Sequence, residues 1–149
     1  MNYFLEFFVA CFGTFGFTIY FKLPKNVRGT VSILSGLIWV TYKYILINTN
    51  NYLIAGLLAS IIIGVISETL AIYFKKPATV FSLPCLIPLV PGAGMYYIMY
   101  YFIESDYDMM TTSLINTVLT TTGLALGIIS SQATFRLFRQ LVKEKKNLR

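Results

Sequence analysis

The sequence predicts an all-α integral membrane protein of five transmembrane helices, with the N-terminus outside and the C-terminus inside. The fourth helix is expected to break at the proline-rich segment Pro91-Gly92-Ala93-Gly94. Three observations carry this. Of the 149 residues 56% are hydrophobic and only 12% charged, whereas a soluble globule carries roughly a quarter charged residues. Five apolar runs each reach the ~20 residues that a ~30 Å hydrocarbon slab demands. The basic residues between those runs all fall on one side.

The whole chain, 1–149, is read as a single transmembrane domain. Its first crossing covers about residues 2–21. The lead Met1-Asn2-Tyr3-Phe4-Leu5-Glu6 lacks a positive n-region and a small-residue cleavage pattern follows nowhere, so this run is expected to be a retained helix. The second and shortest crossing covers about 30–47, and the third about 52–74. The fifth covers about 112–133, and a basic amphipathic tail, 134–149, follows it. Lys22, Lys25 and Arg28, then Lys75 and Lys76, then Arg136 and the tail cations share one face only if the crossings number five. Four or six would split them. The opposite face receives Asn48 to Asn51 and the acidic loop Glu104-Ser105-Asp106-Tyr107-Asp108.

The fourth crossing, about 79–103, holds Pro84, Pro88, Pro91, Gly92 and Gly94 in an otherwise apolar run. Each interior proline deletes a backbone donor and presses on the carbonyl four residues back. Non-helical backbone at membrane depth persists only where protein buries it or where it lines a wet cavity. About twelve residues precede Pro91 and about eleven follow Gly92, so each piece spans roughly half the slab. A half-helix starting near Ala93 would expose the amides of Gly94, Met95 and Tyr96, and such a terminus attracts anions, carboxylates among them. The alternative is a simple proline kink. The break is expected level with Thr120 to Gly123 of the fifth crossing.

Three further polar groups lie at depth. Glu68 is about six residues, roughly 9 Å, from the cytoplasmic end of its helix, and shares a four-residue repeat with Gly56, Ser60 and Gly64. It is expected to look inward, toward protein or a cavity, and either to couple transport to protons or recognise a cation, or to hold helices together as a protonated or capped carboxyl or sit at the cytoplasmic rim. Glu6 and Lys43 come to similar heights, roughly 24 and 22 Å above the cytoplasmic ends of their helices. They are read as two independent interfacial groups that snorkel outward, in preference to an ion pair. Asn116, Thr120, Gly123, Gly127 and Ser131 form a stripe on the fifth crossing. Packing accounts for its glycines, and the threonine hydroxyls can bond back to carbonyls of the preceding turn. The candidate substrate-binding set is therefore Pro91, Gly92, Ala93, Gly94, Asn116 and Thr120, with Glu68 as the candidate proton-coupling group.

Other functions find little support. The chain has no histidine, and Cys11 and Cys85 lie in separate apolar runs. No metal site, cofactor, nucleophile–base pair or nucleotide-binding loop is expected, so the chain is not read as an enzyme. The cations flank apolar runs and form no stripe for nucleic acid.

The strings Ser67-Glu68-x-x-Ala71, Lys76-Pro77-Ala78-Thr79-Val80-Phe81 and Ile87-Pro88-Leu89-Val90-Pro91-Gly92 closely resemble the threonine/serine exporter family. They are similar to its small subunit, the C-terminal half where both halves are fused. Asn116 fits a polar position in that family's last crossing. The resemblance implies a multi-pass inner-membrane exporter of small carboxylate-bearing metabolites, threonine and serine or a dicarboxylate such as succinate. It also implies a larger partner subunit that carries the other half, inverted if both halves have odd crossing numbers. A non-transporting structural or regulatory membrane subunit is the alternative. The copy number is left open, a homo-oligomer included. The family contributes no residue-level site, so the candidate residues rest on the physical reading alone.

Overall fold

The computed structural model describes residues 2–147, with side chains to residue 135 and at Leu137. Those residues form six α-helices joined by short turns, with no strand among them. Helix α1 runs Tyr3–Tyr20, α2 Lys25–Thr49 and α3 Tyr52–Phe74. Helix α4 is Thr79–Leu86, a single 3₁₀ turn follows at Ile87–Leu89, and α5 is Gly92–Ile103. Helix α6 runs Tyr107–Asn147. Counting α4 through α5 as one span, five segments are long and apolar enough to cross a membrane. The amphipathic character expected of the tail 134–149 falls mostly on side chains outside those described.

Two helices extend beyond the apolar runs that mark them in the sequence. Helix α2 begins at Lys25 because Pro24 occupies the position before it, where a missing donor costs nothing. Helix α6 begins at Tyr107 because Asp106 caps it, Oδ1 accepting the Met109 amide at 3.1 Å. Asn51 does the same for α3, accepting from the amides of Leu53 and Ile54 at 3.0 and 3.3 Å. The turns contain no glycine. Lys22, Asn50, Lys75 and Ser105 take the left-handed conformation at the ends of α1, α2, α3 and α5, with φ between 50° and 59°. After three of them the next amide reaches back five residues, Leu23 to Thr18 O, Lys76 to Ala71 O and Asp106 to Tyr101 O, each at 3.0–3.1 Å.

The bundle centres on α2 and α3. Helix α1 lies antiparallel on α2, joined by a buried hydrogen bond between the Thr14 and Ser35 hydroxyls at 2.6 Å. Gly36 gives passage there to Phe7 and Cys11. Helix α3 packs most extensively on α6. Their small-residue stripes meet in register: Gly56 against Thr120 and Leu124, Ser60 against Gly127, Gly64 against Ser131. Both numbers rise together, so the two helices are parallel. The Ser60 hydroxyl reaches the carbonyls of Leu57 and Gly123 at 3.0 and 3.3 Å. Without water to expel, close backbone approach and such interhelical bonds hold helices together in lipid. Val27, Val31, Ile38, Ala55, Ala59, Ile63, Phe81, Cys85 and Leu89 fill the centre. Most large aromatic and aliphatic side chains of α1 and α5 point outward, and α5 buries no residue at all.

Candidate functional site

The segment between α4 and α5 follows from its prolines. Pro84 is accommodated within α4, but Pro88 tightens the chain into the 3₁₀ turn and Pro91 stops it. Pro91 has φ −76° and ψ 55°, and the Gly92 amide donates to Val90 O at 2.7 Å. This is an inverse γ-turn. Helix α5 starts immediately afterwards, its first intrahelical bond running from the Met95 amide to Pro91 O at 3.2 Å. The helix thus begins one residue earlier than the sequence predicts. Gly92 and Met95 already have acceptors, so the amides lacking an intrahelical acceptor are those of Ala93 and Gly94, not Gly94, Met95 and Tyr96.

These amides border a cavity of about 460 Å³. Its walls include all six residues singled out as a substrate site: Pro91, Gly92, Ala93, Gly94, Asn116 and Thr120. Gly94 lies so close to Thr117 that a Cβ there would overlap Oγ1, which fixes α5 against α6 beside Asn116–Thr120. The threonines are satisfied locally. Thr117 and Thr120 donate to the carbonyls of Ser113 and Asn116 at 2.7 and 2.8 Å, and Thr121 and Thr122 do likewise. The oxygens of Thr117 and Thr120 keep lone pairs for the cavity, and Tyr42 of α2 lines the same wall. Asn116 is half-buried on the wall.

Glu68 stands apart. It is buried on α3 and has an interaction partner, but it does not line the cavity, whose contribution from α3 is Tyr52. Sixteen residues separate the two, roughly 24 Å along the helix.

Sequence reasoning missed the α2 wall. Trp39, Tyr42, Lys43 and Leu46 face the cavity, as does Tyr97 of α5. Here one expectation is overturned. Glu6 and Lys43 are not independent snorkelling groups: Lys43 Nζ lies 3.4 Å from Glu6 Oε1. The Trp39 indole donates to Glu6 Oε2 at 3.1 Å. Pairing prevails because α1 and α2 form an antiparallel hairpin that brings two groups of equal height face to face. A lysine within an apolar span, with an indole one turn before it, was the signal available. A second cavity of about 540 Å³ lies between α1, α2 and the 3₁₀ turn. Trp39, Lys43 and Pro88 belong to both cavities and form the wall between them.

The arrangement can hold a small anion in a largely apolar chamber, offering it a helix start, an amide side chain, hydroxyls and one ammonium. Neither the curated proteins nor the solved structures contain a match to this chain. The family described as Threonine/Serine exporter, ThrE, matches residues 6–134. That match runs from Glu6 in α1 into α6 and takes in every residue of the first cavity's wall, and the chain belongs to the threonine/serine exporter family.

Proposed function

We propose that this chain is the small subunit of a two-part secondary transporter in the inner membrane. It exports small carboxylate-bearing metabolites, threonine and serine or a dicarboxylate such as succinate, together with a larger subunit that carries the other half. The N-terminus lies outside and the basic ends of the helices inside. One observation carries the reading: the start of α5, with the amides of Ala93 and Gly94, opens into the 460 Å³ cavity instead of being packed away. A volume of that order suits a small metabolite with some of its water, as ligand cavities run ~300–1,000 Å³. Broken helices near the bilayer midplane present their starts to substrate carboxylates in other transporters.

The test is efflux of labelled serine, threonine and succinate from cells expressing the chain with and without the larger subunit. Export is expected only with both. Asn116→Leu, which removes the amide from the wall, is expected to cut it about tenfold at unchanged protein level, the loss of one buried hydrogen bond to a charged group. Export equal to wild type in that variant would take Asn116 out of the site. Lack of export of all three compounds from the pair would leave the chain a structural or regulatory subunit.

Glu68 supplies proton coupling in this reading, acting through the bundle and not at the substrate. Glu68→Gln is expected to flatten the dependence of export on the pH gradient. A variant whose export still follows the gradient as wild type does would remove the coupling role.

A further inference from the structure

We propose that the Glu6–Lys43 ion pair is the charge filter of the cavity: Lys43 leaves Glu6 to take the substrate's carboxylate, and Glu6, exposed beside it, rejects a second negative charge. The inference rests on the carboxylate-export reading above and adds to it the residues that decide which carboxylates pass.

Four features support it. Lys43 belongs to both cavities, whereas Glu6 lines only the second, so the ammonium has somewhere to go and the carboxylate does not. The 3.4 Å separation is long for a charged pair, which closes to ~2.7–2.9 Å when tight. Glu6 is tethered on its other oxygen by the Trp39 indole at 3.1 Å, so it stays in place when lysine swings away. The Lys43 side chain is 28% exposed and carries a flexible four-carbon stem, its Nζ resting 5.7 Å from the Trp39 ring centroid. A carboxylate arriving from the first cavity therefore competes with Glu6 for one cation. A zwitterionic amino acid then offers Glu6 its ammonium. A dicarboxylate offers it a like charge, which is repelled at such range.

The protein carries its own reporter. Trp39 is the single tryptophan of the chain, and its indole N–H is bonded to Glu6. The purified full chain in detergent is titrated with threonine and with succinate while Trp39 emission is followed. Threonine is expected to shift the emission of wild type. Lys43→Gln should raise the half-saturating concentration of both ligands about tenfold, while Lys43→Arg keeps it within about threefold. Glu6→Gln should lower that of succinate about tenfold and move that of threonine by less than about threefold. With a merely structural pair Glu6→Gln would shift both ligands alike, and that result overturns the filter. Lys43→Gln titrating as wild type also overturns it. If Gly92→Leu, which adds a bulky side chain to the cavity wall, still abolishes efflux in either case, the export reading stands without the filter. If efflux survives Gly92→Leu and wild type shows no emission change with either ligand, the export reading falls and the filter falls with it.

Discussion

Gly123→Leu is expected to leave almost no folded protein in the membrane. A Cβ at Gly123 would run into the Leu53 carbonyl oxygen and come within 3.0 Å of the Leu57 amide. Both are backbone atoms of α3, which cannot turn aside as a side chain could. The contact is reciprocal: a Cβ at Gly56 would lie 2.9 Å from Thr120 O and 3.3 Å from Leu124 N. Gly127 repeats it one turn on, 2.5 Å from Leu57 O. To admit leucine, α3 and α6 must separate along their most extensive interface. That forfeits the close packing and the Ser60 bond to Gly123 O, and lipid supplies no hydrophobic force in compensation. Overpacking of this kind costs about 3 kcal/mol or more. Gly16→Leu is the control, since a Cβ there meets nothing within 4 Å. Thermal unfolding and size-exclusion profiles in mild detergent should separate the two variants by most of the wild-type stability. Matching profiles for both would mean that this interface does not hold the bundle.

That interface also marks how far the sequence can be read. The four-residue spacing of Gly56, Ser60 and Gly64, and the three- and four-residue spacing of Thr120, Gly123, Gly127 and Ser131, identifies each stripe without identifying its partner. Periodicity reports that a face is buried, not what covers it. Helix number is legible because lipid thickness sets length and prolines break backbone bonds whatever the surroundings. That the six residues from Pro91 to Gly94 and at Asn116 and Thr120 share a level is legible for a similar reason, since the prolines place the break and length along each helix sets depth. The α2 wall is not. Trp39, Tyr42 and Lys43 face the cavity only because α2 lies between α1 and α3, and heights counted along isolated helices carry no lateral information. The left-handed residues Lys22, Asn50, Lys75 and Ser105 are hidden for a local reason. Only glycine or asparagine would mark such a helix end from sequence, and three of the four are neither.

Gly92→Leu and Gly94→Val should both abolish export, by different routes, and the difference tests the cavity itself. A Cβ at Gly92 meets nothing within 4 Å, yet Gly92 is part of the cavity wall. Its added side chain therefore has room at the cavity wall and displaces no neighbour. Insertion, yield and melting temperature should stay close to wild type, while export falls at least about tenfold, equivalent to about 1.4 kcal/mol or more of lost substrate binding. Gly94 is constrained where Gly92 is free. A Cβ there overlaps Thr117 Oγ1 and lies 3.3 Å from Thr117 Cβ, and that hydroxyl is buried and bonded to Ser113 O at 2.7 Å. Valine must therefore break the bond or lift α5 from α6, lowering stability by about 1–3 kcal/mol along with export. Thr117→Ala should restore part of the stability to Gly94→Val, a coupling between neighbours that independent sites would not show. Because Gly92→Leu leaves the fold alone, its export value bears on the cavity only. Export at the wild-type rate from a fully inserted Gly92→Leu protein would mean that the substrate passes elsewhere, and that the start of α5 faces a space it never enters.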